Sequence, residues 1–356
     1  MTTKAAAWGV QSAEAPVAPM EIERRDLRAD DVRIRITYSG ICHSDLHQAR
    51  NDWGGSIYPM VPGHEIVGVV DAVGPAVTGF KQGDRVAVGC IVDSCRQCSP
   101  CQGGDEQFCR EGMTGTYNSR DREDGSPTQG GYSETIVVRE QFVLRVPDGL
   151  DEARAAPILC AGITTYAPLK KYGVGPGSKV GVAGLGGLGH MGVKLAKALG
   201  AHVTMITTSP EKGEDARELG ADEVLISKDA NAMKAQAGAF DFILDTIPVA
   251  HDLHPYLGLL GPNGNLVLVG AIEPLPSVHG GALVMKNLSV SGSLIGGIRE
   301  TQEVLDFCAE HGILPECEFI RMDEVNEAWE RMQKGDVRYR FVIDMSSLEP
   351  AEAAAA

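Results

Sequence analysis

Over the first 150 residues the apolar positions fall in short runs: VRIRITYSG, EIVGVVDAVG, DRVAVGC, YSETIVVRE and FVLRV. Runs of this length, alternating or wholly apolar and punctuated by Gly, Pro and Asp, are the mark of strands joined by turns. This stretch therefore predicts a compact β-rich barrel or sandwich with long loops. From about Ser178 the texture changes. SKVGVAG reads as a buried strand, followed by GLGGLG and then by Leu188, Met191, Leu195 and Leu199 at helical spacing, with Gly200 placed to end the helix. AHVTMI, DEVLI, FDFILDTI, GNLVLVGA and LSVSGSLIGG supply five more strands, and DARELG a helix end closed by Gly220. Six strands alternating with helical or loop connections predict an α/β unit built on a doubly wound parallel sheet. ETQEVLDFCAEHG predicts a further helix and residues 339–343 a last strand, while the tail SSLEPAEAAAA reads as disordered. No internal repeat is visible.

Composition narrows the function classes. The 356 residues suffice for two domains, and the 43 glycines suit a chain with many tight turns. The formal net charge of −16 argues against nucleic acid or an anionic membrane as partner. No apolar run approaches the roughly 20 residues of a membrane span, and the N-terminal segment has no basic start or unbroken apolar core of a secretory signal. The expectation is a cytoplasmic protein whose thiols stay reduced. Nine cysteines there point to metal or catalysis before disulfides.

Gly184-Leu185-Gly186-Gly187-Leu188-Gly189 forms a GxGxxG directly between a predicted strand and an amphipathic helix, the context such a motif needs to bind a dinucleotide pyrophosphate. Gly184, Gly186, Gly187, Leu188 and Gly189 are therefore candidate cofactor contacts. At the end of the second strand an acidic residue would select NAD through its ribose hydroxyls. VTMITTSPEK instead offers Thr207, Thr208, Ser209 and Lys212, which favours NADP(H), with Glu211 close by as a countervailing carboxylate.

Cys42 in GICHSDLH, His64 and Glu65 in PGHEIVG, and Cys160 in LCAGIT include two cysteines and a histidine, a ligand combination known from catalytic zinc sites with an open fourth position. On spacing alone they also read as core cysteines and a surface histidine. The flanking motifs carry more. GICHSDLH, VPGHEIVG, the CxxCxxCx7C of Cys95 to Cys109, PTQGGYSE, CAGITTYAPL and GLGGLGHMGVKLAKALG occur in order along nearly the whole chain. In these the sequence resembles the zinc-dependent medium-chain alcohol dehydrogenases, and within them the cinnamyl-alcohol-dehydrogenase-like aldehyde reductases.

The resemblance implies a GroES-like β-rich catalytic domain, residues 1–157 with 298–356, and a Rossmann domain, residues 158–297, with a doubly wound parallel six-stranded sheet and the active site in the cleft between them. It implies two zinc ions per chain. Cys42, His64 and Cys160 would hold the catalytic one, with Glu65 as a carboxylate that exchanges with substrate or water. Cys95, Cys98, Cys101 and Cys109 would hold the structural one, a closed four-thiolate set. The seven-residue final spacing and the lack of a proline after Cys109 depart from a bacterial ferredoxin run. Ser44 and His47 would form the proton relay, Ser44 having a second reading as a helix cap. His43 would lie near the pyrophosphate, or simply in solvent. Trp53, Ile57 and Ile295, with Tyr58 and Leu294, would approach an apolar substrate. Gly115 stands where plant members acting on lignin precursors tend to carry a large aromatic, which implies a broader pocket. Cys90, Cys308 and Cys317 are left as ordinary thiols.

The expected activity is hydride transfer between NADP(H) and primary alcohols or aldehydes, aromatic and medium-chain aliphatic, by a homodimer paired near residues 287–293. An NAD-linked polyol or secondary-alcohol dehydrogenase is the alternative reading, and a non-catalytic zinc- or nucleotide-binding homologue a remote one.

Overall fold

A computed structural model describes residues 2–270 and 272–348. The chain separates into two compact units, Met1–Cys160 with Gly296–Ala356, and Ala161–Ile295.

In the first unit the strand Asp31–Ile41 is the hub. It pairs antiparallel with Ile66–Val73, Thr135–Arg139 and Arg340–Asp344. Val32, Ile34 and Ile36 alternate along it and are all buried, as the period-two pattern requires. The sheet runs on through Arg85–Val88 to Leu144–Arg145 on one side, and from Arg340–Asp344 to Cys317–Ile320 on the other. The sequence pattern did not reveal a separate antiparallel pair, Thr2–Gly9 with Ala18–Arg25. Their apolar residues are mostly alanines, which give little periodic contrast.

A lobe between residues 95 and 109 docks on the start of the helix Ile298–His311. Glu106 Oε2 accepts the Ile298 N–H at 3.0 Å, and Arg299 donates to the Gly103 carbonyl at 3.1 Å. A Cβ on Gly297 would come within 1.8 Å of the Gly104 carbonyl oxygen, so only glycine permits this approach.

The second unit carries a six-stranded parallel sheet. Taken in sequence order, its strands stand third, second, first, fourth, fifth, sixth: Glu223–Ile226, His202–Thr207, Lys179–Ala183, Phe240–Asp245, Leu260–Leu268 and Ser289–Gly292. All six were predicted, and the order is that of a Rossmann sheet. Val180, Val182, Val203, Met205, Ile243 and Val267 are wholly or almost wholly buried. Helices cover both faces of such a sheet, so its strands read as unbroken apolar runs rather than alternating ones. The helix Gly189–Ala198 packs Met191, Val193 and Leu195 inward, and Gly200 follows it at φ +93°.

The tail expected to be disordered lies outside the described residues from 349 on. Its first residues do not fit that expectation: Ser346 and Ser347 belong to a short helical turn, and Ser347 Oγ accepts the Met322 N–H at 2.9 Å. That part-buried contact ties the segment to the turn at Met322.

Candidate active site

Cys42 follows the hub strand and caps the helix His43–Ala49. Ser44 is thus inside the first turn and does not occupy the cap position. Asp45, third in that turn, is fully buried and accepts four hydrogen bonds: from the Cys42 N–H at 2.9 Å, the Gly63 N–H at 3.0 Å, His64 Nδ1 at 3.1 Å and the Tyr132 hydroxyl at 3.3 Å. The carboxylate fixes the turn, the approach of the 62–65 loop and the ring of His64 at once. With Nδ1 turned to Asp45, His64 keeps Nε2 for a ligand role.

One potential ligand atom from each of Cys42, His64, Glu65 and Cys160 lies within 4.8 Å of the others, and all four residues are buried. The Cys42 and Cys160 sulfurs are 3.8 Å apart. A disulfide needs about 2.05 Å, whereas two sulfurs each about 2.3 Å from a tetrahedral zinc stand about 3.8 Å apart. The hydrogen bond from Cys160 holds the Cys42 thiol well below its usual pKa in spite of burial, and the same shared proton drives Cys160 up. Glu65 Oε1 is bonded by Arg340, itself buried, while Oε2 is buried without a hydrogen-bond partner. Burial pushes Glu65 up to about 7 against the pull of Arg340. A Cβ on Gly40 would fall 2.0 Å from Oε2, so glycine makes room for the carboxylate. Two thiols, an imidazole and an orphaned carboxylate oxygen around one point fit a divalent, thiophilic cation. Zinc is the usual occupant of such a set.

Cys90, read from sequence as an ordinary thiol, lies beside this cluster. The bond from Cys160 lowers its pKa against burial, and its sulfur is 3.7 Å from the Leu159 carbonyl.

The second cluster is the 95–109 lobe, whose four sulfurs also converge within 4.8 Å. Cys95 and Cys98 lie 3.9 Å and 3.4 Å from Cys101. Backbone N–H groups of Cys95, Cys98 and Arg110 point at the sulfurs of Cys109, Cys95 and Cys98 at 3.3, 3.3 and 3.4 Å. Donors aimed at sulfur favour the thiolate, and the Cys98 thiol is lowered to about 6, first by the Arg110 N–H. With Cys101, whose thiol burial pushes up to about 12, they make four sulfurs around one point, the donor set of a closed thiolate zinc site.

Around the first cluster, Ser44 Oγ stands 3.6 Å from Cys42 Sγ. His47, partly exposed, has Nδ1 on Asp52 at 2.8 Å and stacks on Trp53 with ring centroids 5.3 Å apart. His43 is exposed. Ile57 is half-buried, its N–H on Asn118 Oδ1, and the Tyr58 hydroxyl bonds the Ala49 carbonyl. Gly115 lies in a strand pair with Ile91, where a Cβ would be 3.1 Å from the Tyr117 carbonyl oxygen. Ile295 is the last residue of the second unit, at φ +36°. Leu294 before it is exposed.

In the second unit the glycine turn joins the strand Lys179–Ala183 to the helix Gly189–Ala198. Gly184 adopts φ +89°, and a Cβ on Gly189 would lie 1.9 Å from the Gly184 oxygen. A Cβ on Gly186 would meet nothing of the protein, so the bare backbone there leaves space at a helix N-terminus, as a bound pyrophosphate needs. Thr207 is buried at the end of the next strand, Thr208 exposed, and Ser209 caps the helix Pro210–Glu218. Lys212 Nζ reaches the Leu185 carbonyl at 3.4 Å, which brings the second-strand turn to the glycine turn. Ser209 Oγ donates to Glu211 at 2.9 Å.

Sequence reasoning passed over Asp45 and Arg340. Asp45 had a signal, an acid three places beyond a helix cap. Arg340, 275 residues from Glu65, had none.

Residues 28–148 match the alcohol dehydrogenase GroES-like domain family, and residues 187–310 the zinc-binding dehydrogenase family. The chain is 54% identical to aldehyde reductase YahK of Escherichia coli over 97% of its length and 99% of that protein's. A cinnamyl alcohol dehydrogenase structure from Sorghum bicolor superposes with a TM-score of 0.94 at 45% identity, covering 98% of this chain and 99% of that one. The structure of CAD from Helicobacter pylori complexed with NADP(H) gives 0.91 at 42% identity, covering 98% and 100%. With both clusters and the glycine turn in place in a chain matched over nearly its whole length, the protein belongs to the zinc-dependent alcohol dehydrogenases, in the branch of the aldehyde reductases and cinnamyl alcohol dehydrogenases.

Proposed function

We propose that this protein interconverts aldehydes and primary alcohols with NADP(H), working mainly as an aldehyde reductase on aromatic and medium-chain aliphatic substrates. The convergence of the Cys42, His64, Glu65 and Cys160 donor atoms carries the reading. Cys42, His64 and Cys160 hold the catalytic zinc, and Cys95, Cys98, Cys101 and Cys109 the structural one. The unit containing residues 1–160 is the catalytic domain and the unit 161–295 the cofactor domain. When bound, zinc supplies Lewis acidity toward a substrate oxygen, and NADP(H) supplies or accepts the hydride.

The protein's own groups do the rest. Glu65, tethered through Oε1 to Arg340, keeps Oε2 available to exchange with water or substrate. Ser44 Oγ, close to the cluster, passes the proton that the reduced oxygen needs. His47 exchanges it with solvent: Asp52 accepts from Nδ1, so Nε2 is the exchanging atom. Asp45 keeps His64 in one tautomer. An Asp45→Asn protein is therefore expected to lose about 10- to 100-fold in catalytic-zinc affinity and in activity. Competition with a chelator, read alongside turnover, checks this; unchanged zinc affinity would remove Asp45 from that role.

Gly184, Gly186, Gly187, Leu188 and Gly189 cradle the pyrophosphate, while Thr207, Thr208, Ser209 and Lys212 receive the 2′-phosphate. A charge-assisted hydrogen bond is worth about 1.5–3 kcal/mol, so Lys212→Ala should raise KM for NADPH roughly 10- to 100-fold and leave that for NADH nearly unchanged. Equal losses with both cofactors would contradict the assignment. The Ser209–Glu211 bond favours a second reading, NAD-linked oxidation of a polyol or secondary alcohol, because it sets a carboxylate at the same turn. Turnover of cinnamaldehyde, benzaldehyde and a medium-chain aldehyde with NADPH and NADH in parallel decides. NADPH-selective reduction supports the proposal, and NADH-selective activity confined to polyols or secondary alcohols overturns it.

Trp53, Ile57 and Ile295 are the proposed substrate contacts. A homodimer formed along the outermost strand Ser289–Gly292 would also cover Val284 and Met285, 79% and 84% exposed. No helix among the described residues is long and apolar enough to cross a membrane, and we place the enzyme in the cytoplasm.

A further inference from the structure

We infer that Thr246 is a positioning residue for the dinucleotide: its buried hydroxyl sets the glycine turn in the shape that receives the pyrophosphate. The inference rests on the reading of residues 184–189 as the cofactor turn.

Thr246 follows the strand Phe240–Asp245, next to the strand that leads into the turn. Its side chain is buried. Its N–H donates to the Ala183 carbonyl at 2.9 Å, and Oγ1 stands 2.8 Å from that same oxygen and 2.9 Å from the Gly184 oxygen. Both neighbours are acceptors only, so the one hydroxyl proton is shared between them.

This hydroxyl occupies the place that side chains would claim at two of the motif glycines. A Cβ on Gly184 would lie 3.1 Å from Thr246 Oγ1, and one on Gly189 3.2 Å from it. Gly270 closes the other side, where a Cβ would come within 2.7 Å of the Thr246 carbonyl. Gly184 is the residue at φ +89°, where the chain leaves the strand. Because a peptide is planar and trans, holding its C=O fixes the direction of the following N–H. The Ala183–Gly184 peptide obeys this: its oxygen faces Thr246 and its N–H donates to the Ile206 carbonyl at 3.0 Å. The next peptide, whose oxygen also faces Thr246, is set in the same way, and with it the path of the turn toward the N-terminus of the helix Gly189–Ala198. Asp245 steadies the segment beyond Thr246 by accepting the Ile247 N–H at 3.1 Å and holding His251 Nε2 at 2.8 Å.

The hydrogen bonds of Thr246 all go to Ala183 and Gly184, and none to the 207–212 segment proposed for the 2′-phosphate. Its loss should therefore weaken dinucleotide binding without changing which dinucleotide is preferred. Thr246→Val keeps the shape and removes the hydroxyl; Thr246→Ser keeps the hydroxyl and removes the methyl group.

In the zinc-loaded full-length enzyme, Kd for NADPH by nicotinamide fluorescence and KM at saturating aldehyde should both rise about tenfold in Thr246→Val. The kcat should stay within about twofold and the ratio of NADPH to NADH affinity should be unchanged, because the hydroxyl is committed to the Ala183 and Gly184 carbonyls. Thr246→Ser should restore parental binding. Thr246→Val binding NADPH as tightly as the parent would overturn the inference. So would Thr246→Ser binding as weakly as valine, since the methyl group would then be what matters. If the valine protein fails to fold, Thr246→Ala is compared with Thr246→Ser under the same two criteria. A parent enzyme that binds neither NADPH nor NADH would instead sink the cofactor reading itself, and that measurement precedes any variant.

Discussion

Cys42→Ser is expected to give a folded protein that holds one zinc per chain and has lost about a thousandfold or more of its kcat/KM. Lewis-acid stabilisation of a developing charge is worth several kcal/mol, and each 1.36 kcal/mol is a factor of ten in rate. A serine hydroxyl is not a thiolate, and the remaining set of His64, Glu65 and Cys160 has one sulfur in place of two. Folding should survive because a serine hydroxyl can take over the sulfur's part in capping the helix His43–Ala49, and the Cys42 N–H to Asp45 that anchors the turn is untouched. The 95–109 lobe keeps its own four cysteines. Metal analysis together with steady-state kinetics tests this. Two zincs per chain with undiminished turnover would show that Cys42 is no ligand.

Cys98→Ser should do the converse, lowering stability before it touches chemistry. The lobe has little regular structure of its own, a five-residue helix Ser99–Gly103 and the turn Glu106–Phe108. What draws it together is the set of sulfurs with their backbone donors, Cys98 Sγ taking the Arg110 N–H and lying 3.4 Å from Cys101 Sγ. A structural zinc contributes its binding energy directly to folding. Even a few kcal/mol lost should lower the unfolding midpoint by about 5–10 °C, with reduced soluble yield. Thermal unfolding and zinc content are the measurements, and parental stability with one zinc per chain would contradict the prediction.

The second unit was legible in the sequence because one-dimensional signals determine it. Buried parallel strands such as SKVGVAG and FDFILDTI are unbroken apolar runs, and the glycine turn sits where its function requires a specific local context. The cysteine lobe was legible for the same reason, since its ligands are neighbours in sequence. What escaped depends on contacts between distant residues. Arg340 meets Glu65 only because the strand Arg340–Asp344 pairs with the hub strand Asp31–Ile41, and no spacing announces that. Thr246 looks like any threonine at a strand end until Gly184 and Gly189 are seen around its hydroxyl. Cys90 could not be told from a core cysteine until Cys160 was placed beside it. The hairpin Thr2–Gly9 with Ala18–Arg25 was missed for a simpler reason, that alanine carries too little hydrophobic contrast to show a period.

The docking of the cysteine lobe on the helix Ile298–His311 ties metal status to resistance to proteolysis. Glu106 satisfies the Ile298 N–H, and Gly104 presses on Gly297, so the helix start and the lobe form one locally cooperative piece. A lobe that does not close on its four cysteines would loosen Glu106, and the first turn of the helix around 296–301 would be expected to open with it. Frayed backbone near glycines is what proteases cut. Limited proteolysis of chelator-treated against zinc-loaded protein should then cut first at this junction, and first cleavage elsewhere would separate the helix from the lobe.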